Sequence, residues 1–330
     1  MSDIILGIET SCDDTAVALV DSEGTILSSV IASQLDVHAA FGGIYPEFAA
    51  RAHISAIIPA VHQAFSTANI TPRDIKAIGV TRGPGLIGSL LVGLNTAKGL
   101  GMGWRKPVIG INHLRGHLRS ADLGQKRVTF PATVLLVSGG HTLLAFMKNP
   151  SDITLLGTTT DDSVGECYDK VGRMLGLGYP GGPVVDRLAQ TGVATIPFPR
   201  PVINKGLEFS FSGLKSAVAR FMDANPDALH ADIAASFVKA VMEVLIKKSH
   251  VALKKYPSQS FVIVGGVAAS PQLREEAATL CSDLKVELCL PPLRWSTDNA
   301  AMIALATFDY LNFSVLKKPV ADLQLKITDF

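Results

Sequence analysis

The alternation of apolar and polar positions predicts the same series of elements twice. From residue 4 the chain reads as strand, turn, strand, turn, strand in IILGIE, TSCDD, TAVALVD, SEG and TILSSVIAS. Short apolar runs bounded by turn-forming residues are typical of strands. The same order returns from residue 132 in ATVLLV, SGGH, TLLAFMK, NPSD and ITLLGTTT, and a helical pattern follows each series, at 53–68 and 163–175. The repeated order indicates an ancient duplication.

The remaining segments alternate in the same way between strands and helices. Between the two series the pattern predicts a strand at 75–81, a glycine-punctuated helix at 86–103 and a strand at 108–111. After the second series it predicts the connector IPFPRPV, a long helix at 228–255, the strand FVIVGG, and helices at 271–281 and 297–311. We expect an α/β protein in which the last helix packs back on the first half.

Composition narrows the class of protein without naming a function. A chain of 330 residues with 48% hydrophobic content is long enough for two domains. Its 30 Lys and Arg against 29 Asp and Glu exclude a strongly basic nucleic-acid binder. The 4 cysteines form no CxxC motif, the N-terminus does not read as a targeting segment, and no apolar run reaches the ~18 residues of a membrane span. We therefore expect a cytoplasmic protein without a membrane segment.

Two histidines at helical spacing are the first candidate for chemistry. In HLRGH, His113 and His117 fall on one helix face, where two imidazoles can bind a single metal ion. The motif is not the HExxH of zinc proteases, because Leu114 stands where the glutamate would be. By itself the pair leaves two explanations open, a metal site or ordinary surface or capping histidines.

Glycine turns at strand ends are the second candidate. Ser138, Gly139 and Gly140 follow the apolar strand TVLLV, so bare backbone N–H groups there can approach a phosphate. Gly265 and Gly266 repeat this arrangement before a helix, where helix N-terminal amides add donors. Taken singly, each of them is better explained as an ordinary tight turn, but two such turns strengthen the case for a nucleotide site.

Acidic residues near these turns can act as ligands or as a base. Asp13 and Asp14 lie in the first turn, and either bind metal or solvent, accept a proton, or simply satisfy turn amides. Asp169 and Asp186 lie in predicted helices, either to hold ribose hydroxyls or on a solvated face. Asp298 either completes a His/His/Asp site or belongs to a helix cap made by Thr297 or Asp298 itself.

Spaced motifs across nearly the whole chain give a specific resemblance. In order they are GIETSCDDTAVALV, GGIYPEFAARAH, TRGPGLIGSLLVG, INHLRGH, LLVSGGHTLL, YDKVGRMLGLGYPGGP, FSFSGLK, GGVAAS and STDNAAMIA. Together they resemble the TsaD family, tRNA N6-adenosine threonylcarbamoyltransferases of bacterial and organellar type. These proteins were once described as O-sialoglycoprotein endopeptidases. The resemblance runs from about residue 4 to the final helix.

The resemblance implies a fold and a division into domains. The family has the actin-like ATPase (ASKHA) fold, with two RNase H-like subdomains around a nucleotide cleft, which agrees with the repeated pattern. We expect residues 1–112 with 299–330 to form the first subdomain. Residues 113–298 should form the second and carry the metal and adenylate site.

The resemblance also implies a set of site residues. His113, His117 and Asp298 match the family's ligands for one divalent metal ion, iron or zinc. The substrate-binding positions match Leu136, Val137, Ser138, Gly139, Gly140, Asp169, Gly182, Asp186 and Ser270. Two positions depart from the family: Ser270 replaces a common Asn and loses the reach of an amide, and Asp14 replaces a common Glu. Neither departure removes a metal ligand.

The implied reaction is transfer of threonylcarbamoyl from threonylcarbamoyl-AMP to N6 of adenosine 37 in tRNAs that read ANN codons. ATP or ADP is an alternative occupant of the same cleft, and Asp13 is our candidate for the base that takes the amine proton. Arg51, Arg82, Arg115 and Arg119 are candidates to contact the anticodon loop, or are solvated surface residues. A bacterial member implies a TsaB-like paralogue and a TsaE-like ATPase as partners.

Three other functions stay open at the level of sequence. A metalloprotease would use the histidine pair, but it lacks the catalytic glutamate and leaves the glycine turns unexplained. An actin-like small-molecule kinase would use the turns, but it has no use for the histidines. A non-catalytic nucleotide-binding scaffold would not need all three candidate metal ligands. The transferase accounts for both sets of residues.

Overall fold

The computed structural model describes residues 2–35, 38, 43–124, 127–311 and 319–329, and these form two five-stranded sheets. The first sheet contains β1 (Ile4–Glu9), β2 (Thr15–Asp21), β3 (Ile26–Ala32), β4 (Ile75–Gly83) and β5 (Val108–Asn112). The second contains β6 (Ala132–Val137), β7 (Thr142–Asn149), β8 (Asp152–Thr158), β9 (Ser260–Val264) and β10 (Glu287–Cys289).

Both sheets have the same topology, which confirms the predicted repeat in the order of elements. Their strand orders are β3-β2-β1-β4-β5 and β8-β7-β6-β9-β10. In each sheet the first three strands are antiparallel neighbours, and the last two are joined in parallel. The crossovers between parallel strands contain helices, as such connections require. The α/β class is therefore confirmed.

Most of the helices lie where the 3.6-residue period of apolar positions predicts them. They are α1 (Pro46–Ala68), α2 (Ile87–Trp104), α3 (His113–Ser120), α4 (Val164–Met174), α5 (Gly181–Ala189), α6 (Ser212–Ala224), α7 (His230–Lys255), α8 (Pro271–Leu284) and α9 (Ala300–Phe308). None of the helices in the described ranges is long and apolar enough to cross a membrane.

Helix α9 packs directly on the first sheet, as predicted for the last helix. A Cβ on Gly7 of β1 would lie 2.2 Å from the carbonyl oxygen of Ala300, so only glycine fits beneath the helix. The small residues at the start of α9 complete the close approach. Helices α1 and α2 cover the other face of the sheet with a separate apolar cluster.

Two compact units divide the chain, and their boundaries differ from the ones we expected. One unit is Met1–Arg127 with Pro291–Phe330, and the other is Val128–Leu290. We call them the first and the second unit. Helix α3 and Asp298 therefore belong to the first unit. The physical reason is that α3 is buried along its whole length and packs against α9.

Four local features differ from the sequence prediction. Helix α1 begins at Pro46 instead of 53, because proline suits the first turn of a helix. Helix α9 begins after Asn299, whose side chain accepts a hydrogen bond from the Met302 N–H at 2.9 Å, so Thr297 and Asp298 are not its cap. Strand β10 and helix α6 were not predicted. The α6 start is capped by distant Asp161, which accepts bonds from the backbone N–H groups of residues 211 and 212.

Candidate metal centre and glycine turn

His113 and His117 both lie on α3, on the face that the sequence spacing predicts. The side chain of Asn112 caps the helix by accepting a hydrogen bond from the Leu114 N–H at 2.9 Å. The imidazole centroids are 4.7 Å apart, and the rings are nearly perpendicular, with an interplanar angle of 81°. Both histidines are buried. This arrangement rules out a pair of ordinary surface histidines.

Asp298 joins the two histidines, as the third candidate ligand. Its Oδ1 lies 3.1 Å from His117 Nε2 and 3.6 Å from His113 Nε2. One ligand atom from each of the three residues falls within 4.8 Å of the others. Because Asn299 makes the cap of α9, the Asp298 carboxylate is left to face the histidines. Its side chain is 29% exposed, so one side of the cluster is open.

The donor set fits a metal ion. Both ring nitrogens of His117 are buried, and within the described residues neither makes a hydrogen bond of regular geometry; Nε2 faces the Asp298 carboxylate at 3.1 Å. A buried polar atom without a partner costs about 1–3 kcal/mol, which a metal ion bound to one ring nitrogen would offset in part. Two neutral imidazoles and one carboxylate suit iron or zinc and leave coordination positions for a substrate oxygen.

Glu9 is a buried neighbour of the candidate metal cluster that the sequence prediction missed. It ends β1 as a buried carboxylate, and its Oε2 lies 3.0 Å from His113 Nδ1. It also accepts hydrogen bonds from the Ser11 N–H and the Thr81 hydroxyl. A carboxylate on Nδ1–H fixes the tautomer that leaves Nε2 for a metal. The available signal was an acidic residue ending an otherwise apolar strand.

Burial and the neighbouring charges shift the acid–base behaviour of this cluster. Burial favours the neutral form of Glu9, but the charge of His113 and its hydrogen bond keep the pKa of Glu9 below its usual value. Burial lowers the pKa of His113, whereas Asp298 and Glu9 raise it more, to about 9. Without a metal ion these shifts correspond to a protonated His113 between two carboxylates. A metal ion at Nε2 would displace that proton, and the Nδ1–H would still donate to ionised Glu9.

The turn at residues 10–14 lies beside His113. Ser11 Oγ is 3.2 Å from His113 Nδ1, so the turn and α3 are in contact. Asp13 and Asp14 follow in the same turn, and both are partly exposed. Burial raises the pKa of Asp14 to about 6. Burial and the charge of Asp13 raise the pKa of the Cys12 thiol, so Cys12 is no nucleophile at neutral pH.

The glycine turn of the second unit is built as the sequence predicts. Ser138 closes it, because its N–H donates to the His141 carbonyl at 2.8 Å and its Oγ accepts from the His141 N–H at 3.1 Å. A Cβ on Gly139 or Gly140 would meet no described atom within 4 Å, and neither glycine has a left-handed backbone. The fold therefore does not require glycine at these positions, which agrees with a ligand approaching the backbone. Leu136 and Val137 are core residues, so only their backbone can contribute.

Asp169 caps the start of a helix and does not lie on a solvated helix face. Its Oδ1 accepts a hydrogen bond from the Gly181 N–H at 2.7 Å, which caps α5 from outside. Burial raises the pKa of Asp169. Gly182, the next residue of α5, has open space where a Cβ would stand.

Asp186 and Ser270 line one cavity of about 230 Å³ in the second unit. Burial raises the pKa of Asp186, and the hydroxyls of Ser270 and Tyr168 face its carboxylate. The cavity also has the polar side chains of Gln190, Lys239 and Gln272 in its wall. The structure thus brings Asp186 and Ser270, two of the positions that the resemblance implies for substrate binding, to one cavity in the second unit.

Two of the four arginines proposed for RNA contact are used inside the first unit. Arg115 is buried, and its Nε donates to the Ile327 carbonyl at 3.0 Å. Arg119 is buried and pairs with Asp122 and Asp309. The assignment of these two residues to the anticodon loop is therefore wrong. Arg51 is exposed beside Glu47, and Arg82 is partly buried.

Comparison of structures agrees with the fold. HypF from T. kodakarensis superposes with a TM-score of 0.64 at 11% identity, covering 93% of this chain and 47% of that one. Component A of the (R)-2-hydroxyglutaryl-CoA dehydratase from Acidaminococcus fermentans gives 0.56 at 15% identity, over 93% of this chain and 97% of that one. At these identities the likeness concerns the fold alone, which is that of the actin-like ATPases.

Comparison of sequences finds relatives of much higher identity. The family model described as TsaD, tRNA N6-adenosine threonylcarbamoyltransferase, matches residues 25–305. A protein of that name from Carboxydothermus hydrogenoformans is 48% identical over 310 residues, which is 93% of this chain and 92% of the relative. One from Staphylococcus haemolyticus is 43% identical over 320 residues, or 96% and 93%. The chain belongs to the TsaD family of tRNA N6-adenosine threonylcarbamoyltransferases.

Proposed function

We propose that the chain transfers threonylcarbamoyl from threonylcarbamoyl-AMP to N6 of adenosine 37 in tRNAs that read ANN codons, with one bound iron or zinc ion. The observation that carries this proposal is the buried cluster of His113, His117 and Asp298, in which His117 Nε2 faces the Asp298 carboxylate at 3.1 Å without a regular hydrogen bond, in a chain of this family. A kinase has no use for this cluster, and the proteases that use paired histidines need a glutamate that α3 lacks.

His113, His117 and Asp298 would hold the metal ion, and Glu9 would keep His113 oriented toward it. When bound, such an ion supplies Lewis-acid polarisation of a substrate oxygen and a fixed point for its orientation. Glu9 and Ser11 contribute by holding the imidazole in one place before substrate arrives. This preorganisation is the main contribution of the protein around the metal.

The second unit would bind the adenylate. The exposed backbone at Gly139 and Gly140 suits the phosphate, because bare N–H groups can donate to its oxygens without steric hindrance. Asp186 in its cavity suits a ribose hydroxyl, since a carboxylate accepts from O–H groups. Asp169 would act indirectly, by fixing the start of α5 and hence Gly182. Ser270 would contact substrate by a shorter reach than the family's common Asn.

The chemical step exchanges one bond to the carbamoyl carbon for another. The N6 lone pair of adenosine attacks this carbon, and the bond to the phosphate oxygen breaks, so that AMP leaves with the electron pair. The amine proton goes to a base, for which we propose Asp13, in the turn that also contacts His113. Near-normal single-turnover transfer by Asp13→Asn would show that another group takes the proton.

The direct test is reconstitution. Purified protein is incubated with threonylcarbamoyl-AMP and unmodified ANN-decoding tRNA, and the nucleosides are analysed by mass spectrometry. We expect threonylcarbamoyladenosine, its loss after chelation, and its loss in His113→Ala. The exposed His230→Ala serves as the control histidine, because it lies on α7 in the second unit. Absence of product with every combination of partners would refute the proposed function.

The partners would be tRNA, a TsaB-like paralogue and a TsaE-like ATPase, in the cytoplasm. Helices α1 and α2 support a protein partner, because they expose large apolar side chains, among them Ile54, Leu91 and Met102, the last 83% exposed. Ile54→Asp is expected to abolish co-purification of the paralogue. Unchanged binding would place the paralogue elsewhere on the chain.

A further inference from the structure

A buried histidine outside the metal cluster holds the 10–14 turn from the opposite side. His53 lies on α1 and is fully buried. Its Nε2 is 3.1 Å from the carbonyl oxygen of Cys12, and its Nδ1 is 2.7 Å from the hydroxyl of Thr15. One imidazole therefore contacts both the middle of the turn and the first residue of β2.

The partners of His53 determine which nitrogen carries its proton. A carbonyl oxygen only accepts hydrogen bonds, so Nε2 must be protonated and donate to Cys12. Nδ1 then accepts from the Thr15 hydroxyl, and the ring is neutral. Burial lowers the pKa of His53, which agrees with a neutral ring. The Cys12 carbonyl thus fixes Nε2 as a donor, whereas the lowered pKa and the amide nitrogen of Gln34 beside Nδ1 favour Nδ1 as the acceptor.

A second row of side chains fixes the ring itself. Gln34 donates to the Ala49 carbonyl of α1 at 3.3 Å, and its Nε2 lies 3.5 Å from His53 Nδ1. Its Oε1 accepts from His38 Nε2 at 3.2 Å. These residues are buried, so the contact between α1 and the turn is shielded from water. Such a buried network favours one geometry over others.

The opposite side of the turn is held by the residues immediately before α2 and by His113 of α3. The Ser11 carbonyl accepts from the Leu86 N–H at 2.8 Å, and a Cβ on Gly85 would lie 2.6 Å from the same carbonyl oxygen. Ser11 Oγ contacts His113. The turn is therefore held at Ser11 from one side and at Cys12 from the other, immediately before Asp13.

We propose that His53 is a positioning residue for the transfer reaction: it fixes the Cys12 carbonyl and so sets the place of Ser11, which contacts His113, and of Asp13, the next residue of the turn. The proposal rests on the proposed function for its kinetic part. A displacement of about 1 Å in a reacting group can cost about 100-fold in rate. The His53 Nε2–Cys12 bond is the contact that carries the effect.

Substitution of His53 by glutamine or by asparagine separates its hydrogen bond to Cys12 from its hydrogen bond to Thr15. The amide nitrogen of glutamine can reach the position of Nε2, so His53→Gln keeps a donor to Cys12. Asparagine is shorter and reaches only the Nδ1 position, so His53→Asn keeps an acceptor for Thr15 and loses the bond to Cys12. Thr15→Val is the matched control, because it removes the partner of Nδ1 and leaves Nε2 in place.

The variants are compared by single-turnover transfer and by backbone hydrogen exchange of the peptide that contains residues 10–15. We expect His53→Asn to lower the transfer rate about 10- to 100-fold, with little change in KM, and to speed exchange in the turn. His53→Gln and Thr15→Val should stay within about threefold of the unsubstituted protein. Equal behaviour of the Gln and Asn variants in both measurements would overturn the proposal.

A measurement on the unsubstituted protein keeps the test independent of folding and of activity. A long-range ¹H–¹⁵N spectrum should show His53 neutral and protonated on Nε2. Protonation on Nδ1 would overturn the proposal, because the Cys12 carbonyl would then have no donor from this ring. If no transfer is found at all, the proposed function fails, while the spectrum and the exchange data still decide whether His53 holds the turn.

Discussion

The two units have the same strand order but end their first strands in different turns. In the first unit β1 ends on the buried carboxylate of Glu9 and continues into a turn of hydroxyl and acidic side chains. In the second unit β6 ends on apolar Val137 and continues into Ser138 and two exposed glycines. The strands before the turns are paired alike. The sheet therefore places a turn at the same point in both units, and the turn residues decide whether side chains or bare backbone groups are presented there.

The helix beside each turn is also held differently. In the first unit α3 contacts the turn through Ser11 and His113, and Arg115 ties the helix to the C-terminal residues. In the second unit α4 packs against the turn backbone so closely that a Cβ on Gly165 would lie 2.6 Å from the Ser138 carbonyl oxygen. Side-chain bonds thus organise the first site, and close backbone packing organises the second.

The largest effect is expected from removing a ligand in the first unit. His117→Ala should lose the bound metal and at least about 100-fold in transfer, because two donors no longer hold a catalytic ion well. Metal content by mass spectrometry and single-turnover transfer check this. The control His230→Ala should keep both. A His117→Ala protein that retains one metal per chain would show that the His/His/Asp cluster is not the metal site.

The second largest effect is expected from Glu9, the buried carboxylate that ends β1 and has no counterpart in β6. Glu9→Gln keeps the shape of the side chain but removes its charge, so His113 loses a strong acceptor at Nδ1. Metal affinity should fall about 10- to 100-fold, as for other residues that orient a metal ligand. Competition with a metal chelator measures the change. Unchanged affinity would mean that Glu9 serves only the folding of the strand end.

The sequence predicted the repeated sheet well because its signal is local. Apolar runs and turn residues recur at the same spacing in both halves, and the histidine spacing in HLRGH placed both rings on one face of α3. The glycine turn after β6 was equally visible. Each of these features depends on residues that are neighbours along the chain.

The features that the sequence missed depend on contacts between distant segments. Glu9 reads as one polar residue at a strand end, and its partner His113 lies 104 positions away. The start of α6 depends on Asp161, a residue of another loop. Arg115 reads as a surface cation, yet it is buried under residues near the C-terminus. Spacing within a motif carries no information about such pairs.

A smaller effect is expected from the bond that ties α3 to the C-terminal residues. Arg115→Ala removes the donor to the carbonyl of buried Ile327, which should cost about 1–3 kcal/mol of unfolding free energy. Arg51→Ala is the matched arginine, because Arg51 is exposed and pairs only with Glu47 four residues before it in the contacts described. It should change stability by less than about 0.5 kcal/mol. Urea denaturation measures both, and equal values for the two variants would contradict the internal role of Arg115.

The smallest effect on stability is expected at Gly140, and Gly165, on the helix that packs against the same turn, is its matched glycine. Gly140→Ala adds a methyl group where the structure has open space, so the unfolding free energy should change little. The methyl group would stand where the phosphate approaches, so KM for threonylcarbamoyl-AMP should rise about tenfold.

Gly165→Ala places the same methyl group against the Ser138 carbonyl, and α4 must shift to accommodate it. This variant should therefore be destabilised by about 1–3 kcal/mol. Denaturation curves and KM for the two variants separate the roles, because one glycine serves the ligand and the other serves the packing. If Gly140→Ala lost stability and kept its KM, the turn would be explained by the fold alone, and the phosphate site would have to lie elsewhere.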